Sequence, residues 1–147
     1  LLGGIGVAQE SSEEQEVQKI IETFFEGFHA RDSLIMKSVM ADEIMIHTIG
    51  KDKTGELELV QEEPGRVLRG IISIPLETDF KEVLHSYNIQ NDGAMANAWV
   101  PYSFYVNETF SHCGVNNFQL LKRNNKWKII YLVDTRRREG CEEKKLK

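Results

Sequence analysis

The sequence predicts an α+β fold, a curved antiparallel sheet with its helices gathered on one face. Three observations lead there. Apolar residues recur at three- and four-residue spacing through the first third of the chain, the period of a helix, and alternate in the second half, the period of a strand. The alternating half is cut by short turn sequences, Asn91-Asp92-Gly93, Asn107-Glu108 and Asn124-Asn125, as in a meander. Helices precede the strands instead of alternating with them, which separates this pattern from a parallel α/β fold.

Each element has its own warrant. Residues 13–30 place Val17, Ile20, Ile21, Phe24, Phe25 and Phe28 on one helical stripe, with Ser11 or Ser12 as N-cap and Glu13 and Glu14 at the positive helix end. Asp32 or Ser33 caps a second short helix carrying Leu34, Ile35, Val39 and Met40. Residues 44–49 form a strand that ends at Gly50-Lys51-Asp52. Residues 57–74 carry a mixed signal: Pro64-Gly65 marks a turn, and Val67, Leu68, Ile71 and Ile72 fit either a short helix or a loop. Strands then follow over 83–90, 94–106, 110–122 and 127–135, with Pro101 marking an edge or a bulge in the second of these.

Length and composition set bounds. The chain has 147 residues, enough for one domain with a core, here residues 13–141. A hydrophobic fraction of 41% with both charge signs well represented is that of a globular protein. A net charge of −5 and no nucleic-acid motif argue against nucleic acid as partner. The basic run Arg136-Arg137-Arg138 is followed at once by Glu139, Glu142 and Glu143, and residues 142–147 read as a charged tail. No stretch reaches the length of a membrane span. Residues 1–12 read as the remnant of an export signal or as a disordered tail. Small residues Gly6 and Ala8 stand where a cleavage site has them, and an exported (periplasmic or extracellular) location is the expectation.

Polar side chains on apolar strands need partners, in the protein or on a ligand. The segment 111–141 concentrates them. Alternation puts His112, Gly114, Asn116, Phe118 and Leu120 on one strand face, polar at one end and apolar at the other. His112 either bonds a structural partner or acts as a base. Asp134 and Arg136 share a face with Ile130 and Leu132 on a regular strand, and a bulge near the strand end changes which face that is. Asp134 reads either as a surface partner of the arginines or as the group that holds His112 in one tautomer, the arrangement of a general base. Tyr102, Trp99 and His47 are further candidates for the lining of a cavity, Tyr102 or Asn116 also as support for an oxyanion. His29 closes the first helix, where a cation suits the dipole. The four histidines have no metal-ligand spacing, and no phosphate loop or nucleophile elbow occurs, so no metal and no cofactor are expected.

Cys113 and Cys141 are the two cysteines. A tail that reverses at Gly140 would bring Cys141 back beside Cys113; an oxidising compartment favours the bond, whereas a reducing one leaves both thiols free and Cys113 as a small packing residue. Closing that loop stabilises the fold by roughly 3 kcal/mol in the chain-entropy model.

The element order, with a glycine-bearing strand, a polar turn and Lys126-Trp127-Lys128-Ile129 leading into the last strand, resembles the nuclear transport factor 2-like (cystatin-like cone) superfamily. Within it, Ala98-Trp99-Val100-Pro101-Tyr102-Ser103-Phe104, Ser111-His112-Cys113-Gly114-Val115-Asn116 and Asp134-Thr135-Arg136-Arg137 resemble the SnoaL-like or lumazine-binding group. The resemblance implies a cone-shaped sheet with the N-terminal helices on its concave face. It also implies pairing of two copies through the convex face, where Val115, Leu121, Ile130 and Leu132 are the expected stripe. It does not fix a reaction, because that superfamily holds isomerases, cyclases, dehydratases and transport factors.

Three functions remain. The first is a small-molecule binding protein that takes an apolar or aromatic ligand, with His47, Trp99, Tyr102, His112, Asn116 and Arg136 at the polar rim. The second is an isomerase, cyclase or dehydratase using His112 and Asp134 as an acid/base pair. The third is a homodimeric scaffold.

Overall fold

The computed structural model describes residues 5–142, with side chains described from Ser12 onward. The expected export remnant lies partly, and the charged tail almost wholly, outside the described residues. Helix α1 spans Ile5–Ala30, so Ser11 and Ser12 lie inside it and do not cap it; nothing between Ile5 and Glu13 breaks a helix as proline would. Asp32 caps α2 (Ser33–Ser38), accepting from the Leu34 and Ile35 amides at 2.9 and 3.2 Å. Met40 belongs not to that helix but to strand β1 (Met40–Lys51).

The undecided stretch resolves into strand β2 (Leu57–Glu62) and helix α3 (Pro64–Ile72). Pro64 occupies the first turn, where its missing N–H costs nothing, and the Glu63 carboxylate caps the Gly65 and Arg66 amides. The single strand expected over 83–90 is two, β3 (Phe80–Leu84) and β4 (Asn88–Asn91), both paired to β5 (Met95–Val106). The break lies opposite Pro101, whose carbonyl accepts from the His85 amide at 2.9 Å. In a strand a residue's N–H and C=O point to the same neighbour, so Pro101 has no donor to return and the ladder stops there. Strands β6 (Thr109–Arg123) and β7 (Lys126–Thr135) complete the set.

The sheet is curved and seven-stranded, in the order β2-β1-β7-β6-β5-β3, with β4 also on β5. Every pair is antiparallel except β1 and β7, which run parallel. The long chain between these two strands permits a crossover, and alternation alone carries no information on strand direction. The helices cover one face. Val17, Ile21, Phe24 and Phe25 of α1 pack on Ala98, Val100, Phe118, Leu120 and Ile129, and the Phe118 ring meets Phe24 and Phe25 edge-on at 6.0 and 6.2 Å.

One irregularity places the site. Across β6 and β7, Gln119 faces Tyr131 but Leu120 faces Ile129, which leaves Ile130 as an extra residue. This bulge flips the alternation of β7, so that buried Trp127 and Ile129 and, beyond it, Leu132 and Asp134 all look toward the helices. Leu132 is therefore not part of a convex stripe, a correction to the expected dimer face.

Candidate functional site

Between the helices and the deep end of the sheet lies a cavity of about 310 Å³. Its apolar wall comes from Phe24, Phe25 and Phe28 of α1, Val67 and Ile71 of α3, and Phe104 of β5. Its polar wall comes from the strands: Thr48, Glu62, Glu82, His112, Asn116, Asp134 and Arg136.

Asp134 is the best-anchored group. One carboxylate oxygen accepts from Thr48 Oγ1 at 2.6 Å; the other accepts from Arg136 Nε at 3.1 Å and stands 3.5 Å from the Tyr102 hydroxyl. Tyr102 donates its shorter bond, 2.7 Å, to the Thr135 carbonyl. Burial pushes the Tyr102 phenol up and the Asp134 charge adds to that, so Tyr102 remains a donor. The crossing is tight: a Cβ on Gly114 would stand 1.9 Å from the Thr135 carbonyl oxygen, so only glycine admits this approach.

His112 lines the cavity, yet Asp134 does not orient it. The donors on Asp134 are Thr48, Arg136 and Tyr102, whereas His112 Nδ1 lies 3.1 Å from Ser111 Oγ. The expected His112–Asp134 hydrogen bond is thus corrected to two neighbouring groups with separate partners. Burial, then the Arg136 cation, hold the His112 imidazole below its ordinary range, so it is neutral at neutral pH.

Two further groups face the same space. Burial, reinforced by the Asp134 charge, pushes the Glu82 carboxyl up to about 8, while the Asn116 amide and Arg136 act the other way. Asn116 is 4% exposed, and its Nδ2 has no hydrogen-bond partner within 3.5 Å among the described residues; the Glu82 carboxyl is near enough to feel the amide but too far for a full bond. A buried unpaired donor is costly unless something outside the chain accepts from it.

Of the residues singled out in the sequence, His112, Asn116, Asp134 and Arg136 come together at the cavity, with Tyr102 directly behind Asp134. His47 and Trp99 do not. On β1 the residues facing the cavity are Ile46 and Thr48, so His47 points to the opposite face, where its Nδ1 lies 3.0 Å from the Tyr131 hydroxyl. Trp99 alternates with buried Ala98 and Val100 and lies 53% exposed on that same outer face. His29 is no helix-end cation: its Nε2 accepts from the Glu82 amide at 3.0 Å, and burial lowers its pKa.

Glu82, Glu62 and Thr48 were missed. For Glu82 the signal is present. Phe80, Glu82 and Leu84 alternate onto one face, a carboxylate between two core residues, but it shows only when the strand is begun at Phe80.

Cys113 and Cys141 are bonded, with Cα atoms 5.8 Å apart. The backbones of Cys113 and Arg137 exchange two hydrogen bonds of 2.9 Å, which lays the end of the chain along β6 immediately beyond Arg136. Among the described residues no helix is long and apolar enough to cross a membrane.

By sequence, no protein-family model and no curated protein matches the chain. By structure, an NTF2-like protein of unknown function from Shewanella baltica superposes with a TM-score of 0.64 at 18% identity, over 91% of this chain and 98% of that one. The chain has the NTF2-like, cystatin-like fold. An NTF2-like protein of unknown function from Pseudomonas putida gives a TM-score of 0.67 at 14% identity, over 85% of this chain and 87% of that one. A candidate dehydratase of the NTF2-like family from Streptomyces avermitilis gives 0.65 at 14% identity, over 87% and 98%. Identities this low establish the NTF2-like fold and leave the activity to the site itself.

Proposed function

We propose that this NTF2-like chain binds a small, largely apolar molecule bearing an oxygen acceptor. The observation that carries this reading is the Nδ2 of buried Asn116, which makes no hydrogen bond within 3.5 Å among the described residues and lines an aromatic-walled cavity beside a carboxyl that burial favours in its protonated form. Asn116 N–H and Glu82 O–H are two donors for one oxygen, while the phenylalanines take the ring. The test is a thermal-shift screen of ring-containing ketones, lactones and phenols. A binder raises Tm by several degrees in the wild type, and Asn116→Leu and the cavity-filling Val67→Trp each abolish that rise. Equal shifts in all three proteins would sink the proposal.

A second reading, proton-transfer catalysis, is favoured by the juxtaposition of a neutral imidazole, a raised carboxyl and a carboxylate. His112 takes a proton from carbon next to a carbonyl, while Glu82 and Asn116 donate to the oxygen as charge develops there. The base must be unprotonated and the acid protonated. Turnover of any substrate the screen yields therefore rises with pH through the lowered His112 value and falls through about 8 as Glu82 ionises. A pH-independent rate above 8 would remove Glu82 from that role.

For location and assembly we propose export, supported by the Cys113–Cys141 bond, which an oxidising compartment preserves. We also propose a homodimer through the outer face near β1 and β2, where Met45, Leu57 and Leu59 are 46%, 75% and 64% exposed. Sedimentation at micromolar concentration gives a dimer that Leu59→Glu converts to monomer. A wild-type monomer contradicts the assembly.

A further inference from the structure

The outer face of the sheet carries a second, separate feature around Trp99. Strand pairing sets Asn88, Trp99 and Asn117 in one row across β4, β5 and β6, and sets Gln90, Asn97 and Gln119 in the next row on the same face. Asn88, Gln90, Asn97 and Asn117 form with Trp99 a shallow depression of about 380 Å³. The side chains of these four amides make no hydrogen bond to the described residues. No charged residue lines the depression, in a chain of which 28% is charged.

We propose that this surface is a carbohydrate-binding platform for a β-1,4-linked hexose chain with equatorial hydroxyls. Such a ring presents a flat C–H face, which stacks on an exposed indole, and a rim of hydroxyl groups, each both donor and acceptor. A carboxamide is also both donor and acceptor, so amides around an indole match that rim without charge. A phosphate, a carboxylate or a cationic peptide would need an opposite charge that the depression lacks. Neighbouring strands are about 4.8 Å apart, so the amides flanking Trp99 stand roughly 10 Å apart, the reach of hydroxyls on either side of one hexose ring. A second depression of about 280 Å³ shares Gln90 and Asn97 and runs on toward Met95, which is 59% exposed; Asp92 stands at its far end, where a carboxylate can also accept from a sugar hydroxyl. Two adjoining depressions suit consecutive rings of a chain better than a single sugar. Trp99 is one of two tryptophans and the other, Trp127, is 3% exposed, so the platform carries its own optical reporter. The platform lies across the sheet from the cavity and does not depend on it.

The test is titration of tryptophan fluorescence, backed by calorimetry, with cellohexaose and chitohexaose as probes and maltohexaose, which is α-linked, as control. The expected result is a saturable change with at least one β-linked probe, in the micromolar-to-millimolar range usual for such shallow sites. Trp99→Ala abolishes the calorimetric signal, and the Asn97→Ala/Asn117→Ala double variant weakens binding about tenfold with Tm unchanged. Three results would overturn the proposal. One is no saturable signal with either β-linked probe up to about 10 mM. Another is binding to Trp99→Ala that equals the wild type. The third is a wild-type dimer, indifferent to both probes, that Trp99→Ala dissociates, which would assign the surface to a second copy of the chain.

Discussion

At the scale of single residues, Glu82 decides most about the site. Its carboxyl is held at about 8 by burial and by Asp134, against about 4.3 in an unfolded chain. Between those values the folded state binds the extra proton, so the Glu82 contribution to stability falls as pH rises through this window. Wild-type Tm therefore declines from pH 5 to pH 8 relative to Glu82→Gln, and the two curves run parallel outside that range. A constant difference across the whole range would show that Glu82 is solvated like an ordinary glutamate. Gly114 is the other deciding residue. Gly114→Ala drives a methyl into the Thr135 carbonyl, and the expected cost is roughly 3 kcal/mol by denaturant unfolding. Because Thr135 follows Asp134, the same variant also displaces the carboxylate that Thr48, Tyr102 and Arg136 hold.

At the scale of elements, departures from regularity position the chemistry. The extra residue Ile130 turns Asp134 to the cavity, and the gap opposite Pro101 separates β3, which carries Glu82, from β4, which carries part of the Trp99 platform. Helix α3 contributes Leu68 and Ile71 to the core and supplies one wall of the cavity. Helix α2 depends on its cap. Asp32→Ala releases two amides and is expected to cost about 1 kcal/mol by equilibrium unfolding. Asp32→Asn restores most of it, which separates lost capping from lost packing. Helix starts were legible where a capping residue stood next to a clear apolar stripe, as at Asp32. They were not legible where no breaker interrupts the chain, as at Ser11 and Ser12 inside α1, because cap chemistry permits a start without enforcing one.

At the scale of the whole molecule, the disulfide ties the end of the chain to the middle of the sheet. Its loop spans 28 residues, and reduction is expected to remove roughly 3 kcal/mol of stability. Cys113→Ala/Cys141→Ala unfolds at correspondingly lower denaturant. It also weakens any cavity ligand, because the Cys113–Arg137 backbone pair fixes the residue beside Arg136. A double variant as stable as the wild type would mean that the tail is held by its hydrogen bonds alone.

The sequence by itself determined the α+β class, the helical stripe of α1, the tight turns of the meander and the polar end of β6, where His112 and Asn116 face inward. These are local matters of period and turn chemistry, and a chain carries them in consecutive residues. Tertiary structure decided the rest: the parallel pairing of β1 with β7, the partners of Asp134, the outward turn of His47 and Trp99, and the meeting of Glu82 with Asn116 and Asp134. The physical reason is that alternation gives two faces without saying which one is covered. A single bulge exchanges the faces, and the protonation of a carboxyl depends on neighbours that lie tens of residues away along the chain.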